Sequence, residues 1–152
     1  MAAYMYEYRA RGLQKAPAQV AGEIMEQLEQ SEAGLSPASL LDASRDESAP
    51  LHDEFEWRDD VAAEQYRLNQ AGGIIRNVYR ISVETQEQAP VRAFVSTGER
   101  QQAYVSIATA LTNDQWRKNL LESAKRDMQA FSAKYRNLDE LSEVLNAMQK
   151  VG

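Results

Sequence analysis

The chain has 152 residues, 43% of them apolar, with 23 acidic and 17 basic side chains, a net charge of −6 and no cysteine. That length supports one domain, or two small lobes sharing a core. The missing cysteine excludes disulfides, thiolate metal sites and cysteine nucleophiles, and makes a reducing, cytoplasmic setting the default expectation. No stretch approaches the roughly 18 consecutive apolar residues of a membrane span, and Met1–Tyr6 is followed by Glu7, Arg9 and Arg11, the wrong order for a secretory signal.

Tyr4, Tyr6 and Tyr8 alternate with Met5 and Glu7, a period of two that suits a strand or an extended arm. Pro17 opens a helix with Val20, Ile24 and Leu28 as its apolar stripe, Glu23, Glu26 and Glu29 on its wet side, and Gly34 as its C-terminal stop. Ser36-Pro37 caps the next helix, whose buried face is Leu40, Leu41 and Ala43. Beyond a polar connector, Leu51, Phe55 and Trp57 read as a short amphipathic turn. Arg58-Asp59-Asp60 supplies the acidic start of a long helix carrying Ala62, Tyr66, Leu68 and Ala71. Gly72-Gly73 weakens its far end by about 1 kcal/mol per glycine.

The period then changes to two. Val78–Val83, Val91–Val95 and Tyr104–Ile107 are rich in β-branched residues and joined by short turns at 86–90 and 98–101, which predicts a three-stranded antiparallel meander. Thr112 and Gln115 have capping-box spacing. Trp116, Leu120, Ala124, Met128, Phe131 and Tyr135 follow on one helical stripe that covers the sheet, and after a break at Asn137, Leu138, Leu141, Leu145 and Met148 mark a final amphipathic helix. The expected class is α+β, with a helical N-terminal lobe, a three-stranded antiparallel sheet and C-terminal amphipathic helices. The expected organisation is a helical lobe over 1–57 with an N-terminal arm, then a long helix, meander and helix pair over 58–152, compatible with one compact domain.

Charge is uneven along the chain. Residues 1–60 carry 13 acidic and 5 basic side chains, whereas residues 61–152 carry 10 and 12. The first part repels a phosphate backbone, and the second tolerates phosphate locally. Arg76, Arg80, Arg92 and Arg100 flank the predicted strands, and Lys118, Lys125 and Arg126 stud the long helix. With Tyr79 and Phe94 among them, these residues are the candidate nucleic-acid surface, where a single strand could be held by stacking. The plainer reading is a solvated helix face, favoured by Glu122 and Asp127. The helix ending at Gly34 and the helix after Ser36 have the spacing of a helix-turn-helix, but the second offers only Arg45 against Asp42 and Asp46.

His52, Asp53, Glu54 and Glu56 form a candidate interaction surface. His52 and Glu56 stand four apart, as metal ligands on a helix can, but catalytic zinc normally needs three protein ligands and the chain has no second histidine. No nucleophile elbow, dinucleotide loop or phosphate-binding loop is present. Neither a catalytic residue, a metal nor a cofactor is therefore expected. The apolar stripes of the last two helices exceed what one sheet face needs, which points to a homodimer.

The run Pro50-Leu51-His52-Asp53-Glu54-Phe55-Glu56-Trp57, followed by Asp59-Asp60 and Ala62–Arg67, resembles a family of small uncharacterised proteins encoded by bacteriophages and prophages. Val91–Ser96 and Tyr104-Val105 are similar to the same family, so the resemblance spans residues 13–150. It implies a phage-related origin and transfers no catalytic residue. The function expected is a non-enzymatic accessory protein that binds nucleic acid, with a regulatory role, as a dimer. The alternative is a protein-interaction or assembly module, or an inhibitor that uses the acidic half.

Overall fold

Alternating tyrosines at the start of the chain build the first strand of the sheet that organises the molecule. The computed structural model describes residues 4–59, 63–83, 89–99 and 103–151. Strand β1 (Tyr4–Tyr8) pairs antiparallel with β2 (Val78–Ser82), and β2 pairs antiparallel with β3 (Val91–Arg92), giving the order β1-β2-β3. Tyr6 stands opposite Arg80, and Tyr79 stands between Glu7 and Arg92. Because side chains alternate along a strand, Tyr6, Val78 and Arg80 share one face, and Glu7, Tyr79 and Arg92 share the other. The outer edge of β1 is closed by a side chain: the Tyr6 backbone N–H donates to Gln19 Oε1 at 2.9 Å.

The α+β class stands, with a different third strand in the three-stranded sheet. Residues Tyr104–Ser106 form β5, which pairs with β4 (Phe94–Ser96) in a separate two-stranded sheet. The chain leaves the first sheet at Ala93, whose N–H bonds Val78 while its carbonyl accepts from Ile107 N–H. β1 takes the free edge of β2, where the Arg80 guanidinium lies 3.9 Å from the centre of the Tyr4 ring.

Helix α1 (Ala18–Gln30) covers the Tyr6 face and buries Ala21, Gly22 and Met25. A Cβ at Gly22 would sit 2.2 Å from Tyr6 Cγ, so the close approach of helix and strand requires glycine there. Of the three glutamates that the pattern turns to water, only Glu23 is exposed. Glu26 accepts from the Tyr6 hydroxyl at 2.8 Å, and Glu29 accepts from Ser106 N–H at 2.8 Å and the Thr109 hydroxyl at 3.0 Å. They tie α1 to the strands, which a helical wheel cannot show. The helix stops short of Gly34, with Ser31 returning both its N–H and its hydroxyl to the Leu28 carbonyl.

Helix α2 (Pro37–Ala43) is capped as the sequence predicts: Ser36 Oγ accepts from Ser39 N–H and Ser39 Oγ from Ser36 N–H. It buries Leu40 and Leu41, and leaves Ala43 exposed. Helix α3 (Glu64–Asn77) starts later than Arg58–Asp60 suggests. Asp59 accepts from the buried Arg67 at 2.5 Å instead of capping the helix, and Asp60 and Ala62 lie outside the described residues. The helix runs through Gly72-Gly73 and buries Ala71, Ile74 and Ile75 in a core shared with Met25, Leu40, Leu41, Leu51, Phe55, Val78 and Phe94.

The C-terminal part is built differently. Ser106 ends β5 and caps α4 (Ile107–Thr112), so a run read as strand turns helical at Ile107. Helix α5 (Asp114–Tyr135) is capped by Asn113, which accepts from Trp116 N–H at 3.0 Å, one residue beyond the predicted Thr112. A 3₁₀ turn over Asp139–Leu141 leads into α6 (Ser142–Val151). No residue of α5 is buried, and Leu145 is the one buried residue of α6. The α5 stripe therefore does not cover the three-stranded sheet. Its first turns, through Trp116 and Leu120, pack on Val95, Val105 and Ala110, and the rest leaves the core behind.

Candidate functional site

Three of the predicted arginines meet in one cleft. Arg76 from the last turn of α3, Arg92 from β3 and Arg126 from α5 line a cavity of about 400 Å³, together with Val95, Ser96, Tyr104, Asn119, Leu120, Glu122 and Ser123. Gly72 makes room for the first: a Cβ there would lie 2.9 Å from Arg76 Nη1, so the side chain folds back over its own helix. Arg92 projects on the Tyr79 face of the sheet, and among the described residues its Nε, like that of Arg80, is buried without a hydrogen-bond partner. None of the three forms an ion pair among the described residues.

The far wall is docked by specific bonds. Asn119 Nδ2 donates to the Thr97 carbonyl at 2.7 Å, and Trp116 Nε1 donates to Glu99 Oε1 at 2.9 Å. Gly98 permits the contact: its φ of +79° is left-handed, and a Cβ would lie 2.9 Å from Asn119 Nδ2. The lining thus combines three guanidinium groups with the apolar side chains of Val95, Tyr104 and Leu120. Guanidinium groups stay charged at any physiological pH and form forked bonds to phosphate or carboxylate. Excess charge of one sign in a cleft focuses its field on an anion, and among the described residues three guanidinium groups outnumber Glu122, the one carboxylate of the lining.

The other candidate basic residues lie elsewhere. Arg80 is 9% exposed on the opposite face of the sheet, against Tyr4 and α1. Lys125 lines a groove between α5 and α6 with Met128 and Met148, Lys118 is exposed outside the cleft, and Arg100 lies outside the described residues. Phe94 is 1% exposed and stacked behind Tyr6, so it offers no surface for a base. Tyr79 is half-buried with the Arg9 guanidinium 5.9 Å from its ring centre. Arg45 is tied to Asp42 and Glu64, leaving α2 without a free cation for base contact.

The segment around His52 is a packed junction. The His52 ring stacks on Trp57 with centres 4.7 Å apart, its Nδ1 lies 2.9 Å from the Ser44 carbonyl oxygen, and Trp57 Nε1 donates to the His52 carbonyl at 2.7 Å. Glu54 accepts from the N–H groups of Lys15 and Ala16, which holds the approach to α1. Glu56 accepts from Arg58, and those bonds hold its carboxyl below the usual range. Asp53 is exposed, beside a second groove lined by Leu13, Lys15, Glu54, Glu56 and Tyr66. Among the described residues, no three His, Asp or Glu side chains gather as a metal site would need.

Sequence reasoning found the three arginines but not Tyr104 or Asn119, which enter the cleft only once β5 leaves the first sheet. The Gly72-Gly73 pair four residues before Arg76 was the one local signal of a close approach. The fold and cleft define an α+β protein with a cationic, partly aromatic pocket. No family model, curated protein or solved structure matches the chain.

Proposed function

We propose that this chain is a non-enzymatic, nucleic-acid-binding accessory protein of bacteriophage or prophage origin, acting in the cytoplasm as a homodimer with a regulatory role. The observation that carries the reading is the convergence of Arg76, Arg92 and Arg126 from three separate elements in one cleft, free of ion pairs among the described residues. A chain of net charge −6 whose described residues gather three arginines and one glutamate in one lining localises its affinity for anions. The phage origin rests on the resemblance of Pro50–Arg67 and Val91–Val105. Among the described residues, no helix is long and apolar enough to cross a membrane.

The dimer is supported by the helix pair. Leu121, Phe131, Leu138, Val144 and Val151 are exposed on α5, α6 and their junction. Helix α5 carries five basic and three acidic residues, whereas Asp139, Glu140 and Glu143 open the segment leading into α6. Antiparallel pairing of two copies sets the acidic start of one α6 beside a basic α5.

The test is a binding titration with DNA across salt concentrations. Binding that weakens steeply as salt rises supports the proposal, and no binding even near 50 mM salt would overturn it, because phosphate contacts are strongest there. A protein-interaction module is the second reading, favoured by Leu13 and Tyr66, 69% and 51% exposed at the acidic groove around Asp53. Capture of a basic host protein that survives loss of the cleft arginines and fails in Tyr66→Ser favours that reading.

A further inference from the structure

We infer that the cleft between β3, β4–β5 and α5 takes one unpaired nucleotide, its phosphate among Arg76, Arg92 and Arg126 and its base against Tyr104, so that single strands are preferred over duplex. This rests on the nucleic-acid reading above and narrows it.

Two features of the cleft lead there. Its size, about 400 Å³, lies at the lower end of pockets that enclose small molecules, which fits a nucleotide and not the convex backbone of a double helix. Its lining combines two chemistries: the guanidinium groups match a phosphate by charge and forked geometry, while Tyr104 offers an aromatic partner to a base of any identity.

A base in a duplex reaches Tyr104 only by leaving its stack and its pair, at a cost that a single strand does not meet. Of the other basic side chains, Arg80 faces the other side of the sheet, Arg45 is paired with Asp42 and Glu64, and Lys125 belongs to the groove between α5 and α6.

The experiment compares a fluorescent single-stranded oligothymidylate, the same oligonucleotide in duplex form, and thymidine monophosphate as competitor, all near 50 mM salt. The single strand is expected to bind at least about tenfold more tightly than the duplex, with Tyr104→Leu losing about tenfold or more and Tyr104→Phe restoring it, as stacking of one base predicts. Arg126→Ala, on an exposed helix face that should not disturb folding, is expected to lose a similar factor. Competition by the monophosphate at millimolar concentration identifies a pocket for a single nucleotide as such, and its failure to compete identifies a nucleotide within a strand; both support the cleft assignment if the variants respond. Equal or tighter duplex binding overturns the inference and leaves the nucleic-acid reading standing. Single-strand binding that ignores both Tyr104→Leu and Arg126→Ala also overturns it. Absence of binding to every probe overturns both.

Discussion

The body of the molecule and its C-terminal helix pair use apolar residues in opposite ways. In the body, Met25, Leu35, Leu40, Leu41, Leu51, Ile75, Val78 and Phe94 are nearly or fully buried in one continuous core. In α5 and α6, across some thirty residues with an equally regular apolar stripe, Leu145 alone is buried. Stripe regularity therefore says that a helix has an apolar side, not that the same chain supplies its cover. The body holds the fold, while the helix pair contributes Asn119 and Arg126 to the cleft and leaves Leu121, Phe131, Val144 and Val151 exposed.

The largest expected effects fall in the body. Leu41→Ala should lower unfolding free energy by about 2–5 kcal/mol, as large-to-small changes in closed cores do, whereas Leu138→Ala, which is 46% exposed, should change it by no more than about 0.5 kcal/mol. Chemical denaturation of both variants at a concentration where the protein is monomeric would measure this. Equal losses would erase the contrast between the regions.

Next comes the helix–strand contact. Gly22→Ala places a Cβ in the Tyr6 ring and should cost about 1–3 kcal/mol by overpacking. Tyr6→Leu in the same chain should relieve part of that loss, and a double-mutant cycle would show a coupling of opposite sign to additive damage. Additive losses would mean the two positions do not touch.

A smaller effect is expected at alkaline pH. The Tyr8 hydroxyl donates to the Ala16 carbonyl at 2.8 Å, and burial, aided by the charge of Glu54, pushes its pKa up to about 12. Tyr6 is raised as well, by burial and by its bond to Glu26. With folded-state pKa values above the unfolded value near 10, the neutral phenols stabilise the fold fully below about pH 10, and that contribution disappears as pH rises towards 12. Unfolding curves from pH 9 to 12 should therefore show a decline that is shallower in Tyr8→Phe. An unchanged slope would contradict the assignment.

The smallest expected effect on stability is the most informative about the helix pair. Phe131→Ser with Val144→Ser should leave monomer unfolding within about 0.5 kcal/mol, yet shift the mass in solution from dimer to monomer by light scattering. A wild-type protein that is monomeric at high concentration would contradict the dimer.

How much was legible follows from whether a signal is local. Ser36 as a cap, the Leu40-Leu41 face, the strand at Val78–Ser82 and the break near Asn137 all depend on neighbours in sequence, and they match the structure. The partner of a strand edge is local only across a short turn: the meander places Tyr104 beside Val95, as β4 and β5 pair, but nothing near Tyr4–Tyr8 says that it pairs with residues 78–82. The glutamates of α1 show the same limit, since Glu29 is bonded to residues 77 and 80 positions away. At the cleft, composition singled out the arginines, but only the crossing of α3, β3 and α5 selects Arg76, Arg92 and Arg126 from the longer set and sends Arg80 to the opposite face. His52 shows the reverse: a rare residue in an acidic run draws attention, and its contacts to Trp57 and Ser44 account for it structurally.

The central claim, that the arginine cleft is where nucleic acid binds, is tested most directly by the salt dependence of single-strand affinity in the wild type and in Arg126→Gln. One phosphate neutralised in the cleft predicts a slope of log affinity against log salt of about −0.7 for a single strand, and Arg126→Gln should lower the affinity near 50 mM salt and make that slope shallower. An identical slope and affinity in the variant, or no binding by the wild type near 50 mM salt, would contradict it.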